Sequence, residues 1–363
     1  MPLASVGRRL VWSAILALAS VGSAAQVPKD DLPADPAIRA VVAAQEESLA
    51  KLPAGTCVFH AVYDEVKRDR KTTSDGTLKV KGTSRYADWS AVSAARGAHV
   101  RPPPQRQRAV LNEVHFAFWV EGTPFAYQYP SGKPGVRTNR VNDLIATHFP
   151  RDPVLTAYGN GTQDLRSILS LHSKVNHYSV EESTEADGRR IFRIHVNMPA
   201  DPNAKPARWI YEVDASRGYA VTHMVFNENG KPALERWVDL EPVGSSGAWF
   251  PRHIKECWFH VLANKTSELQ STYEVNYQAY KVVETTEGDF DLNALALPPR
   301  VVVLRTDPAG AVTQLVPKDG AWVPIELLKR ANAGRTRQAM SSGRGRTVVT
   351  AIGLCTPLVT LAL

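Results

Sequence analysis

Cysteine is scarce in this chain: three residues, Cys57, Cys257 and Cys355, among 363. A disulfide framework is thereby excluded, because a body of about 300 residues builds its own core without staples. Cys57 and Cys257 fall on expected strands, as two buried free thiols or as a pair in an oxidising compartment. Catalytic punctuation is missing too. No His-Glu-x-x-His run occurs, and no glycine-rich loop precedes a helix to cradle phosphate. Gly244-Ser245-Ser246-Gly247 lacks the spacing of a nucleophile elbow and reads as a turn. His253, Cys257 and His260 would share one face of a helix. Trp249, Phe250, Trp258 and Phe259 favour a strand instead, on which His260 points away and a zinc site fails. Carboxylates are numerous but scattered, and no pair stands out for acid–base work. The chain gives no specific reason to propose an enzyme and no reason to propose a cofactor.

Basicity is also absent where a nucleic-acid binder needs it. The net charge is +7 and the pI about 9.3. Two arginines, Arg8 and Arg9, lie in the first 26 residues. Six basic residues, Lys329, Arg330, Arg335, Arg337, Arg344 and Arg346, lie in 329–346. Setting these eight aside leaves 35 basic against 36 acidic residues in 27–328, a net of −1. The body is neutral, so nucleic acid is not an expected partner.

The ends read as processing or tail segments. Residues 1–26 have a positive start, an apolar run over 10–21 and the small-residue site Ser23-Ala24-Ala25, the pattern of an export signal. A periplasmic or otherwise exported location is the expectation. A basic linker over 329–346 leads to an uncharged tail, 347–363, near the lower length limit for a membrane span and interrupted by Pro357. Membrane contact through that tail is left open.

Between these ends, 27–328 is expected to form a single domain. Asp35-Pro36 opens a helix with Ile38, Val41, Val42, Leu49 and Leu52 near one face. A strand over 56–68 follows, and Ser74-Asp75-Gly76 is the expected turn to a partner over 77–88. The segment 96–108, with its three consecutive prolines, reads as a loop. Residues 110–121 read as one strand with apolar bulk on both faces, which requires cover on one side by helix and on the other by a cavity, a ligand or a second layer. Strands over 125–129 and 136–141 continue the sheet. Asn142-Asp143 caps a short helix ending before Pro150, and Asp164 caps another. A hairpin turns at Ala186-Asp187-Gly188. A meander then runs from 208 to 284, its strands rich in Val, Tyr, Trp and Ile and separated by Gly, Asn and Ser clusters. A short strand over 301–304 closes the sheet, and Gly320 to Pro324 closes the body. The fold class is mainly β (α+β), an antiparallel meander forming an incomplete β-barrel with an N-terminal helix and short helices packed on one side.

This order of elements resembles the periplasmic lipoprotein-carrier superfamily, LolA/LolB-like and RseB-like. The resemblance rests on the helix 36–52 running into the strand from Thr56, on the run from Ile210 through Asp214-Ala215-Ser216-Arg217-Gly218 to Tyr219, and on Asp289-Phe290-Asp291-Leu292 followed by Leu297-Pro298. It implies a half-barrel whose apolar concavity takes acyl chains. The leading expectation is a non-enzymatic exported binding protein for a lipid, a lipoprotein acyl chain or a similar amphiphile. Its candidate ligand-binding residues are Phe116, Phe118, Trp119, Trp209, Tyr211, Tyr273 and Tyr277. A cell-envelope sensor or structural module with a protein partner is the alternative, and a hydrolase built from scattered carboxylates and histidines is the third reading.

Overall fold

The structure is a computed structural model. It describes residues 32–331 apart from 96–97, 99–101, 113, 131–151, 162, 172, 174–175, 199–205, 263–265, 279 and 308. The expected leader, the strand over 136–141, the helix after Asn142-Asp143 and the tail beyond 331 lie outside the described residues. The chain divides into two compact units between Thr313 and Gln314.

In the first unit an amphipathic helix, α1 (Pro36–Ala50), starts where Asp35 caps it: the carboxylate accepts the backbone N–H of Ala37 at 2.8 Å, and Pro36 occupies the first turn. Among the described residues fifteen strands follow. The first six are β1 (Gly55–Glu65), β2 (Arg70–Lys81), β3 (Ser84–Ala95), β4 (Gln105–Leu111), β5 (His115–Val120) and β6 (Phe125–Pro130). Two short helices interrupt them, α2 (Pro153–Ala157) and α3 (Leu165–Leu171). Then come β7 (His177–Thr184), β8 (Arg190–Asn197), β9 (Ala207–Asp214), β10 (Ala220–Glu228), β11 (Lys231–Pro242), β12 (Trp249–Val261), β13 (Ser267–Tyr277), β14 (Lys281–Val282) and β15 (Val302–Thr306).

Pairing runs in the order β7-β8-β9-β10-β11-β12-β13-β1-β2-β3-β4-β5-β6-β15, with β14 continuing β13 along β1. Every pair is antiparallel except β6–β15. The first strand thus joins the two halves of the sheet, β2–β6 on one side and the late meander on the other. The sheet stays open: among the described residues β7 pairs with β8 alone. This is the expected incomplete barrel with helices on one side. In the second unit, β16 (Val312–Lys318) and β17 (Ala321–Pro324) form a hairpin through the pairs Leu315–Pro324 to Lys318–Ala321.

Three expectations are corrected. The turn after β1 lies at 66–69, where Asp69 takes a left-handed conformation (φ 49°), and Ser74-Asp75-Gly76 sits inside β2. Gly76 is there for space. A Cβ would lie 2.5 Å from the Trp89 Cβ on β3. The real second turn is at Gly82 (φ 52°), so 77–88 is split between β2 and β3. The supposed strand 110–121 is likewise two: Asn112 turns the chain by accepting the N–H groups of Val114 and His115, and β4 begins inside the expected loop at Gln105.

Two apolar clusters fill the inner face. The first joins β1–β6 and β10–β13 to Val154, Ala157 and Tyr158, with Leu49 and Leu52 packed against it. The second joins β8–β12 to Ile38, Val41 and Val42 of α1 and to Leu165 and Leu169 of α3. One helix therefore serves both clusters. Cys57 and Cys257 are free and buried, Cys57 among the inner-face side chains, where burial raises its thiol to about 12.

Candidate functional site

Strand parity decides what faces inward. Leu111 pairs with Phe116 and Ala109 with Phe118, and all four belong to the first cluster. Phe116 stacks on Phe118 at 5.7 Å, and Phe118 on Tyr127 at 5.2 Å. Across the sheet, Tyr277 meets Phe59 at 6.4 Å and the edge of Phe250 at 5.8 Å, with Tyr273 packed beside this group. Burial pushes the Tyr277 phenol well above its ordinary range. Trp209 and Tyr211 stack at 6.1 Å in the second cluster, where Trp209 also lies 4.5 Å from Phe226. Six of the seven candidate residues thus face the helices, in two groups: Phe116, Phe118, Tyr273 and Tyr277 in one, Trp209 and Tyr211 in the other.

Trp119 faces the opposite way. Its indole donates to the Thr123 carbonyl at 3.3 Å, and the Arg108 guanidinium lies 5.7 Å from its ring. The outer face of β3–β5 is covered by the chain itself, through the 3-10 turns Glu287–Phe290 and Leu292–Leu295. Arg108 donates to the Leu295 carbonyl at 2.9 Å and Asn112 to the Phe290 carbonyl at 2.9 Å. Of the three kinds of cover that the two-sided β5 called for, this face has the second layer.

The helical cover is tied to the inner face by polar anchors. Arg85 on β3 and Asp152 form a buried pair, Nε to Oδ2 at 2.9 Å, with side chains 2% and 4% exposed. Asp152 also caps α2, accepting the Val154 N–H at 2.9 Å. Arg236 on β11 pairs with Glu256 on β12 at 2.6 Å, 2% and 0% exposed, and donates to the Asn160 carbonyl at 2.8 Å. Gly161 (φ 92°) makes room there, since a Cβ would sit 3.1 Å from the guanidinium. The Tyr158 hydroxyl donates to the Trp249 carbonyl at 3.0 Å, and the Gln45 amide to the Tyr219 carbonyl at 2.8 Å. These four charges escaped the sequence reading. The signal was available: Leu234-x-Arg236-x-Val238 and Ile254-x-Glu256 put opposite charges at inward positions of adjacent strands.

On the outer face, His223 sits between two carboxylates, Nδ1 to Glu212 at 3.3 Å and Nε2 to Glu235 at 3.1 Å, and stacks on Trp237 at 5.6 Å. The bond to Glu212 raises the imidazole above its usual value. The same bond, joined by Arg193, holds Glu212 down at about 2. The raised histidine stabilises the fold fully below its unfolded value, roughly 6.5, and that contribution is lost as pH rises through the higher folded value. The depressed Glu212 works the other way, and its contribution is lost as pH falls from about 4.5 toward 2. These side chains are about a quarter exposed, so solvent still screens them and keeps the effect to about 1 kcal/mol. His223→Gln should therefore flatten the pH dependence of thermal stability from about pH 6.5 upward. Unfolding scans across that range check it; an unchanged slope in the variant would show that His223 does not titrate with folding.

His253, Cys257 and His260 lie on the extended β12, and His253 is engaged by Asp239 at 3.2 Å and Glu274 at 3.1 Å. Among the described residues, no three His, Cys, Asp or Glu side chains are grouped to hold a metal ion. No described helix is long and apolar enough to cross a membrane.

No protein-family model matches the chain, and no curated protein matches it in sequence. Some solved structures align with part of it. A DUF1329 family protein from Desulfovibrio piger is similar over 71% of this chain and 98% of its own, at 8% identity and a TM-score of 0.40. The Mycobacterium tuberculosis lipoprotein LppX is similar over 71% of this chain and 100% of its own, at 11% identity and 0.26. The complex structure of Pseudomonas aeruginosa MucA/MucB is similar over 66% of this chain and 94% of its own, at 12% identity and 0.19.

Proposed function

We propose that this chain is an exported, non-enzymatic binding protein that holds a lipid, a lipoprotein acyl chain or a similar amphiphile on the inner face of its half-barrel. The observation that carries this reading is the aromatic breadth of that face and the way its helices are held. The first cluster spans β1–β6 and β10–β13 and takes in Phe59, Phe116, Phe118, Phe250 and Tyr277, and α2 is fastened over it by side chains, Asp152 to Arg85 and Tyr158 to the Trp249 carbonyl. An aromatic wall of that breadth, under helices held by side chains, suits an apolar chain entering between the two. Phe116, Phe118, Tyr273 and Tyr277 would line one part of the path, with Trp209 and Tyr211 in the neighbouring cluster. Trp119, on the outer face, would take no part.

Mass spectrometry of organic extracts from the purified mature protein tests the reading. Co-purified lipid at near-equimolar amount is the expected result. Extracts that match a buffer blank, from protein that also fails to take up added lipid, would count against it. The sensor reading draws on one feature, the open strand β7, which has pairing groups free on one side among the described residues. A bound envelope protein with no lipid would favour it.

A further inference from the structure

A second site lies on the outer face, apart from the inner wall. Between Asp239 and Leu240 the register of β11 on β12 shifts: Asp239 faces His253 and Leu240 faces Pro251, which leaves Arg252 as the extra residue of a β-bulge. A bulge bends its strand and re-aims the unpaired side chain. Arg252 is exposed and makes no hydrogen bond or ion pair among the described residues. It lines a cleft of about 440 Å³ with Arg217, Asp239, Leu240, His253 and Asn276.

The charges in this cleft are unevenly committed. Asp239 accepts from His253 Nδ1 at 3.2 Å, and Glu274, on the neighbouring strand, faces its Nε2 at 3.1 Å. The histidine thus occupies the acids nearest the cleft. Arg217 lies 5.9 Å from the Trp249 ring and 3.6 Å from Asp214. That carboxylate is already taken by the Ser216 N–H at 2.9 Å and by Arg189 at 3.2 Å. Two guanidinium groups, one on a bulge and one on the 3-10 turn Ala215–Arg217, therefore look into one cleft with donors to spare, beside the Asn276 amide. Guanidinium forks match tetrahedral oxyanions through paired N–H donors.

We propose that this cleft binds a phosphate-class oxyanion, either free or as a lipid headgroup, through Arg217 and Arg252. The proposal does not depend on the inner-face reading. Its test titrates the mature protein with inorganic phosphate at low, constant ionic strength, following the His253 ring signals by NMR and the heat by calorimetry. A second arm measures co-sedimentation with phosphatidylcholine vesicles with and without phosphatidic acid. Saturable shifts at His253, weakened about tenfold by Arg252→Gln or Arg217→Gln, are the expected result. Phosphate binding alone assigns a free oxyanion; binding to phosphatidic acid vesicles that the same variants abolish assigns a headgroup. Both side chains are at the surface, so the variants should keep the wild-type circular dichroism. No saturable binding in either arm, or equal binding by both variants, overturns the proposal.

Discussion

Replacing Arg236 by methionine is expected to lower the free energy of unfolding by about 3–5 kcal/mol, the loss of one partner of a buried ion pair. Glu256 is fully buried, and its carboxylate lies 2.6 Å from the guanidinium. Without Arg236 that charge stays in an apolar interior or must take up a proton. The Asn160 carbonyl loses its donor as well, so the segment after α2 loosens from the sheet. The double variant Arg236→Met/Glu256→Leu removes the stranded charge and should recover most of the loss. Urea unfolding of the two variants separates the effects. A double variant no more stable than the single one would mean that lost packing, and not the uncompensated charge, is responsible.

The second large effect is expected at Asp152, whose two oxygens do different work. Oδ1 accepts the N–H groups of Val154 and Leu155 to start α2, and Oδ2 holds Arg85. Asp152→Ala should cost about 3–4 kcal/mol: about 1 for the cap and the remainder for Arg85 left buried. The Gly82 and Ser84 carbonyls, which also accept from Arg85, soften that second part. Asp152→Asn keeps a capping oxygen and should recover about 1 kcal/mol of the loss. If alanine and asparagine prove equally destabilising, the cap contributes nothing.

Much of this architecture was legible, and the failures have physical reasons. Asp35-Pro36 marked α1 because a carboxylate before a proline both caps a helix and presets its first turn. The same pair recurs at Asp152-Pro153 and starts α2, which the sequence reading passed over because the helix is only five residues long. The late meander was legible because its turns carry the residues that left-handed conformations demand, as at Gly218 and Gly230. The β1–β2 turn was not, because Asp69 supplies the left-handed residue without a glycine while an Asp-Gly pair sits nearby in mid-strand. Trp119 could be placed opposite Phe118 by parity alone. What covers it could not, since the 3-10 turns that do so lie more than 160 residues further along the chain. Contacts of that separation leave no local pattern. The inward charges are a different matter: Arg236 and Glu256 are readable as departures from alternation on adjacent strands.

The central claim is that the inner face holds an amphiphile beneath its helical cover. Titration of delipidated mature protein with a fluorescent fatty acid, followed by displacement with an unlabelled one, tests it most directly. Saturable binding near one equivalent, reversed by the competitor, is what the account predicts. A signal that rises without saturation, or that the unlabelled fatty acid leaves in place, would contradict it.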